Sequence, residues 1–162
     1  MKYTRMMAMI LILLIGNGCS TNDQQKPEMN QAVEQYKEEE RNISKEESMN
    51  IQVSDGVVVL HYELNDSPAA KSFYKQLPLQ VKVENFSDNE KICYPDNRLD
   101  IADAPYTSGK AGTMAYYEPW GNVVMFYGSF EPSGSLYELG NIVEGSDEIA
   151  KLSGTITISS LD

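Results

Sequence analysis

The sequence is poor in the residues that covalent and metal chemistry require. Its 162 residues include only two cysteines and one histidine. A catalytic thiol needs a base beside it, and the single histidine, His61, lies in an alternating, strand-like run. We therefore expect Cys93 to be a packing residue rather than a nucleophile. Asp96, Asp100 and Asp103 are close in sequence, but their spacing does not match a calcium-binding loop. We predict a solvated acidic loop, no metal site and no cofactor.

Positive charge is also scarce. The chain has 13 Lys and Arg residues against 24 Asp and Glu residues, a formal net charge of −11. If residues 1–18 are removed, Lys2 and Arg5 are lost and the net charge becomes −13. Such an excess repels nucleic acid and anionic membrane surfaces. We therefore exclude nucleic acid as a partner and expect membrane contact through a lipid alone.

The N-terminal apolar run is too short to cross a membrane. Met6–Ile15 contains ten apolar residues, whereas a bilayer core requires about 20. Basic residues before this run and small residues after it are typical of an export signal. The ending resembles a bacterial lipoprotein signal, with Gly18 before Cys19 as the residue to be lipidated. Gly16 departs from that pattern, and a plain signal peptide or an uncleaved anchor are the alternatives.

The composition divides the chain into three parts. Residues 1–18 form the predicted lipoprotein-type signal peptide. Residues 19–49 are charged and poor in apolar side chains, which predicts a flexible tether. Residues 50–162 are long enough for one modest core. This organisation predicts a lipoprotein of the cell envelope, anchored to the membrane and facing outside the cytoplasm.

Short strand-like runs dominate the third part. Gly56–Leu64 is apolar and β-branched, and Leu79–Glu84 and Gly154–Ser159 alternate apolar with polar residues, as strands with one wet face do. A helix is predicted between Ser67 and Pro78, and a second over Ser146–Leu152. Many short strands with two short helices indicate a small β-barrel or sandwich.

The most aromatic stretch, Gly112–Gly128, holds the only tryptophan, Trp120. A Pro-Trp-Gly turn separates two strand-like runs, which predicts a hairpin with its bend at Glu118–Asn122. The hairpin has two interpretations. Either it is simply part of the core, or Tyr116, Tyr117 and Trp120 line a ligand groove, since amphipathic aromatic side chains suit a half-wet pocket.

Three segments of residues 51–162 carry motifs of a known family. Leu139–Ile149 is similar to the Gly-x-Val-x-x-Gly strand end that leads into the second cyclophilin helix. Gly112–Tyr117 followed by Met125–Tyr127 is similar to the strand pair that carries a Met-Ala and a Gln-Phe-Phe run. Ala115–Asn122 is the most specific segment and resembles the compact bacterial cyclophilin-like family. The resemblance covers residues 51–162.

The resemblance implies a mainly β fold: a closed or nearly closed eight-stranded antiparallel barrel with a short helix over each open end. It also implies a groove on one outer face. In that groove Tyr116 and Tyr117 would match the Met-Ala pair, and Met125, Phe126 and Tyr127 the Gln-Phe-Phe run.

The motifs of prolyl isomerases are missing. Their catalytic arginine lies on a Phe-x-Arg strand followed by Gln-Gly-Gly-Asp, and Asn89–Arg98 contains neither pattern. Met125 replaces the groove glutamine, and Tyr116 and Tyr117 would fill the space for a substrate proline. We therefore expect a module that binds a peptide or small ligand without catalysis. The alternative is a divergent peptidyl-prolyl isomerase that uses Arg98, the only arginine after residue 50.

Overall fold

The structure is a computed structural model that describes residues 48–161. The predicted signal peptide, the lipidation site Cys19 and almost all of the predicted tether lie outside the described residues. Among residues 48–161, no helix has the length and apolar character needed to cross a membrane.

Nine strands form one sheet in which every pairing is antiparallel. Across the sheet their order is β3-β9-β1-β2-β8-β6-β7-β5-β4. In chain order the strands are β1 (Met49–Ser54), β2 (Val59–Leu64), β3 (Leu79–Lys82), β4 (Glu84–Phe86), β5 (Glu90–Cys93), β6 (Thr113–Tyr117), β7 (Asn122–Phe126), β8 (Leu136–Glu144) and β9 (Thr155–Leu161).

The two edge strands of this sheet, β3 and β4, are consecutive in the chain and are joined by one buried residue, Val83. The backbone N–H of Val83 donates to the carbonyl oxygen of Gly154 at 2.9 Å. The sheet therefore ends where it begins, and the expected nearly closed, mainly β barrel is confirmed. The predicted count of eight strands is wrong by one. The alternating run from Leu79 onward bends at Val83, so β3 pairs with β9 whereas β4 pairs with β5.

Two short helices accompany the barrel. Helix α1 (Pro68–Tyr74) begins where the sequence predicts, because the Ser67 side chain accepts a hydrogen bond from the Ala70 N–H at 3.2 Å and proline suits a first helical turn. It ends at Tyr74, before Pro78. The second helix (Ser146–Lys151) is a 3₁₀ helix that buries Ile149.

The interior of the barrel is filled by side chains at alternate strand positions, among them Ile51, Leu60, Tyr62 and Ile158. Cys93 belongs to this core, and burial raises the pKa of its thiol to about 12. Buried thiols with a raised pKa are generally unreactive. The position of Cys93 in the core agrees with the packing role expected for it.

Candidate functional site

Strands β6 and β7 carry apolar side chains on both faces, and β5 adds Ile92 and Cys93 next to the charged Glu90 and Lys91. Their alternation places one set of side chains in the barrel interior: Cys93, Met114, Tyr116, Val123 and Met125. The other set forms a second apolar cluster on the outer face: Ile92, Ala115, Val124 and Phe126. A solvated outer face would carry polar residues at these positions. Here Tyr117, Phe130 and Leu136 of the same chain pack against the second cluster and cover it.

The β6–β7 turn holds Trp120 above the outer face. The Gly121 N–H donates to the carbonyl oxygens of Tyr117, at 2.9 Å, and Glu118, at 3.2 Å. Gly121 has φ = +73°, a conformation that glycine adopts without strain. Pro119 precedes Trp120 in this turn, and the indole is left 50% exposed.

A cavity of about 300 Å³, hereafter the outer cavity, lies on this face. Its walls come from strands β4 to β8 and from the β6–β7 turn. The lining residues are Phe86, Glu90, Ile92, Tyr117, Trp120, Asn122, Val124 and Leu136.

Three aromatic rings meet at the outer cavity. The Phe86 and Trp120 ring centroids are 5.2 Å apart, with the ring planes at 82°. The Tyr117 and Trp120 centroids are 5.4 Å apart, also at 82°. Edge-to-face pairs of this kind stabilise a fixed ring arrangement by about 0.5–1.5 kcal/mol each. Trp120 is therefore positioned by two neighbours although half of its surface is exposed.

One buried amide oxygen belongs to a residue that lines the cavity and has no hydrogen-bond partner. Asn122, the first residue of β7, is 1% exposed, and its side-chain oxygen Oδ1 has no hydrogen bond. Leaving a buried acceptor unsatisfied costs about 1–3 kcal/mol. The Asn122 amide can both donate and accept hydrogen bonds, so it offers a ligand a fixed polar contact among apolar walls.

Glu90 is the only formally charged residue that lines the outer cavity. Burial raises the pKa of its carboxyl group, because an apolar environment disfavours the charged form. None of the ion pairs found among residues 48–161 includes Glu90. The cavity therefore combines an apolar and aromatic wall with one carboxylate and one buried amide.

The structure brings together only part of the site predicted from sequence. Tyr117 and Trp120 line the outer cavity. Phe126 lies on the same face, where its ring stacks on Phe130 with centroids 3.5 Å apart, but it is not a lining residue. Tyr116 and Met125 point the other way and belong to the barrel core. This is a correction to the predicted groove: adjacent strand residues face opposite sides, so Tyr116 and Tyr117 cannot share it.

Sequence reasoning missed six lining residues: Phe86, Glu90, Ile92, Asn122, Val124 and Leu136. The first three lie on β4 and β5. These strands lie beside the hairpin only in the folded barrel, so their positions in the chain do not reveal the proximity. Asn122 had a detectable signal, because the predicted bend at Glu118–Asn122 places it opposite Tyr117 across the hairpin.

Arg98, the candidate catalytic residue, does not line the outer cavity. Its Nη1 donates to the backbone oxygen of Glu118 at 2.8 Å and is 3.5 Å from the Glu118 carboxylate. The side chain is 63% exposed. Arg98 therefore stabilises the β6–β7 turn from outside.

The other residues considered for chemistry do not converge. His61 Nδ1 lies 2.8 Å from the Glu144 carboxylate, and its Nε2 is near Gln52, whereas Cys93 is inside the barrel. Among the described residues, no group of three or more His, Cys, Asp or Glu could hold a metal ion.

Comparison with known proteins identifies the family. The model of the cyclophilin-like family matches residues 51–160. The chain belongs to the cyclophilin-like family. Among solved structures, this cyclophilin-like chain is similar to the solution structure of the hypothetical protein AF2241 from Archaeoglobus fulgidus. The TM-score is 0.56 at 15% identity, over 70% of this chain and 95% of that one. A likeness at this identity shows a shared fold. The search of curated proteins found no match.

Proposed function

We propose that this cyclophilin-like domain binds a peptide or a small ligand in the outer cavity and does not catalyse prolyl isomerisation. The observation that carries the proposal is the unpaired, buried oxygen Oδ1 of Asn122, a residue of a cavity walled by Tyr117 and Trp120. Binding sites commonly combine mostly apolar walls with a few fixed polar groups. A ligand that pairs with Asn122 removes the cost of its unsatisfied oxygen.

The lining of the cavity argues against isomerase chemistry. Rotation about a peptide bond has a barrier of about 18–20 kcal/mol, and lowering it needs a donor or cation aimed at the rotating amide. No Lys or Arg lines the outer cavity, and its single charge is the carboxylate of Glu90. Arg98 is held by Glu118 on the turn. The environment is therefore unsuited to stabilising a developing negative charge.

Binding is tested by titrating the protein with proline-containing peptides and a small-molecule fragment set. Because Trp120 is the only tryptophan, its fluorescence reports on the cavity directly. Trp120→Ala and Tyr117→Ala should weaken binding at least about tenfold by calorimetry, since each removes a large apolar contact. Tyr106→Ala is the matched control, because Tyr106 is 60% exposed and lies outside the cavity. Equal loss in all three variants, or unfolding of the cavity variants alone, contradicts the proposal.

Catalysis is tested by a protease-free isomerisation assay on proline peptides, with Arg98→Ala as the comparison. We expect the rate with protein to equal the rate in buffer. A faster rate that disappears in Arg98→Ala would instead support the divergent isomerase.

We also propose that the domain is displayed on a bacterial cell envelope by a lipid on Cys19. The support is the sequence around Cys19: a basic start, a ten-residue apolar run at Met6–Ile15 and small residues before the cysteine. Intact-mass measurement of the chain from membranes should show cleavage before Cys19 and a diacylglyceryl adduct. A chain that retains residues 1–18, or carries an unmodified Cys19, contradicts the anchor.

A further inference from the structure

We propose that the ligand of the outer cavity is a small alkylated ammonium ion that carries one hydroxyl or N–H group. This inference rests on the proposed binding function of the same cavity and adds the chemical class of its ligand. The observations that support it are the perpendicular aromatic rings, the charge of Glu90 and the unpaired side-chain oxygen of Asn122.

The aromatic rings suit a cation. Phe86, Tyr117 and Trp120 all line the cavity, and both flanking rings stand at 82° to the indole. A cation within about 6 Å of such ring faces is attracted by their quadrupoles, with tryptophan the strongest partner. Alkyl groups on the ammonium would fill the apolar remainder of the cavity, which Ile92 and Val124 form. An alkylated ammonium is also weakly hydrated, so it loses little hydration on binding.

The charge of the cavity has the matching sign. Glu90 is its only charged lining residue, and none of the ion pairs among residues 48–161 includes it. Residues 48–161 contain seven Lys and Arg against fifteen Asp and Glu, a formal charge of −8, so the surrounding field also favours cations. An anionic ligand would place a second negative charge beside a partly buried carboxylate, which is costly. Phosphates and carboxylic acids are therefore disfavoured.

Asn122 and the size of the cavity define the rest of the ligand. The buried oxygen of Asn122 lacks a donor, so a ligand hydroxyl or N–H that donates to it is favoured over one that lacks such a group. The volume of about 300 Å³ lies at the lower end for ligand sites. It fits a small amino alcohol better than a long peptide.

The test uses choline and its neutral isostere, 3,3-dimethyl-1-butanol, which has nearly the same shape and hydroxyl group but no charge. The full chain is kept in an uncharged maltoside detergent, because detergents with ammonium groups would compete. Trp120 fluorescence and calorimetry should show choline binding at least about tenfold more tightly than the isostere. Tetramethylammonium, which lacks the hydroxyl, should bind more weakly than choline.

Matched variants test whether the charge of Glu90 causes the preference for choline over its isostere. Glu90→Gln keeps the shape of the side chain and should lower the choline affinity about tenfold while leaving the isostere unaffected. Glu63→Gln, at an exposed position on β2 outside the cavity, should change neither. Trp120→Leu should weaken choline more than Trp120→Phe does, because phenylalanine retains an aromatic face.

The possible failures are distinguishable. If choline and the isostere bind equally, or Glu90→Gln changes nothing, the cation inference is overturned although the cavity still binds ligands. If neither compound binds at concentrations up to about 10 mM while a proline peptide does, the ligand class is wrong and the binding function stands. If nothing binds, both proposals are overturned.

Discussion

At the scale of single residues, the outer cavity contains polar groups that cost stability. Three buried polar atoms among the described residues have no hydrogen-bond partner: Tyr62 Oη, Thr107 Oγ1 and Asn122 Oδ1. Tyr62 lies in the barrel core, and only Asn122 lines the outer cavity. Glu90 adds a partly buried carboxylate to the same site. Functional sites often retain such unfavourable groups because a ligand satisfies them.

Replacing Glu90 by glutamine should stabilise the protein at neutral pH. The pKa of Glu90 is higher in the folded state than in the unfolded chain. At pH values between these two pKa values, the native protein holds a proton that the unfolded chain has released. Stability therefore falls through that interval and stays lower above it. Glu90→Gln should raise the free energy of unfolding at pH 7 by less than about 1 kcal/mol, and should be nearly neutral at about pH 3.

Urea unfolding at the two pH values measures this effect, with Glu63→Gln as the control variant. A loss of stability in Glu90→Gln at pH 7 would mean that the Glu90 carboxylate makes a favourable contact within the fold.

At the scale of secondary structure, β8 is the central strand of the sheet, between β2 and β6. It pairs with β2 on one side and with β6 on the other, and both pairings shift register, at His61/Tyr62 and at Met114/Ala115. Gly140 lies at this crossing. A Cβ atom there would overlap the carbonyl oxygen of Glu63 and approach the Leu64 Cα to 2.7 Å. Glycine is therefore required for β2 and β8 to lie this close.

Gly140→Ala should destabilise the fold by about 3 kcal/mol or more, since the obstacle is backbone that cannot rotate away. Gly134→Ala is the matched control, because a Cβ at Gly134 meets nothing within 4 Å, and it should change the free energy of unfolding by less than about 0.5 kcal/mol. Denaturant unfolding compares the two. A Gly140→Ala variant as stable as Gly134→Ala would show that β2 and β8 are further apart.

At the scale of the whole molecule, charge and the proposed lipid act in opposite directions at a membrane. The formal charge of −11, or −13 without residues 1–18, repels anionic lipid headgroups. We therefore expect membrane association to depend on the proposed lipid on Cys19 and not on charge.

Cys19→Ala should abolish membrane association. A lipid anchor contributes about 0.8 kcal/mol for each buried CH₂ group, whereas the acidic chain contributes repulsion. Co-flotation with anionic vesicles should recover the chain purified from membranes at both low and high salt. The Cys19→Ala chain should not float under either condition. Flotation of Cys19→Ala equal to that of the parent chain would show that another part of the protein binds the membrane.

The sequence by itself determined the local features of this protein. The Ser67–Pro68 start of α1, the turn at Glu118–Asn122 and the alternating strand of β9 follow from capping, turn chemistry and side-chain period. These signals involve residues close in the chain, so they are readable without a fold. Together with the resemblance to cyclophilins, they were sufficient to predict a nearly closed antiparallel barrel.

Only the tertiary structure decided which residues share the outer cavity. Strands β6 and β7 are buried on both faces, so apolar and polar residues do not alternate along them. Their sequence therefore does not show that Tyr116 faces the core and Tyr117 faces the cavity. Phe86 and Glu90 reach Trp120 because the chain bends at Val83 and β5 pairs with β7. Pairing between distant strands depends on the closure of the whole barrel, and no local pattern contains that information.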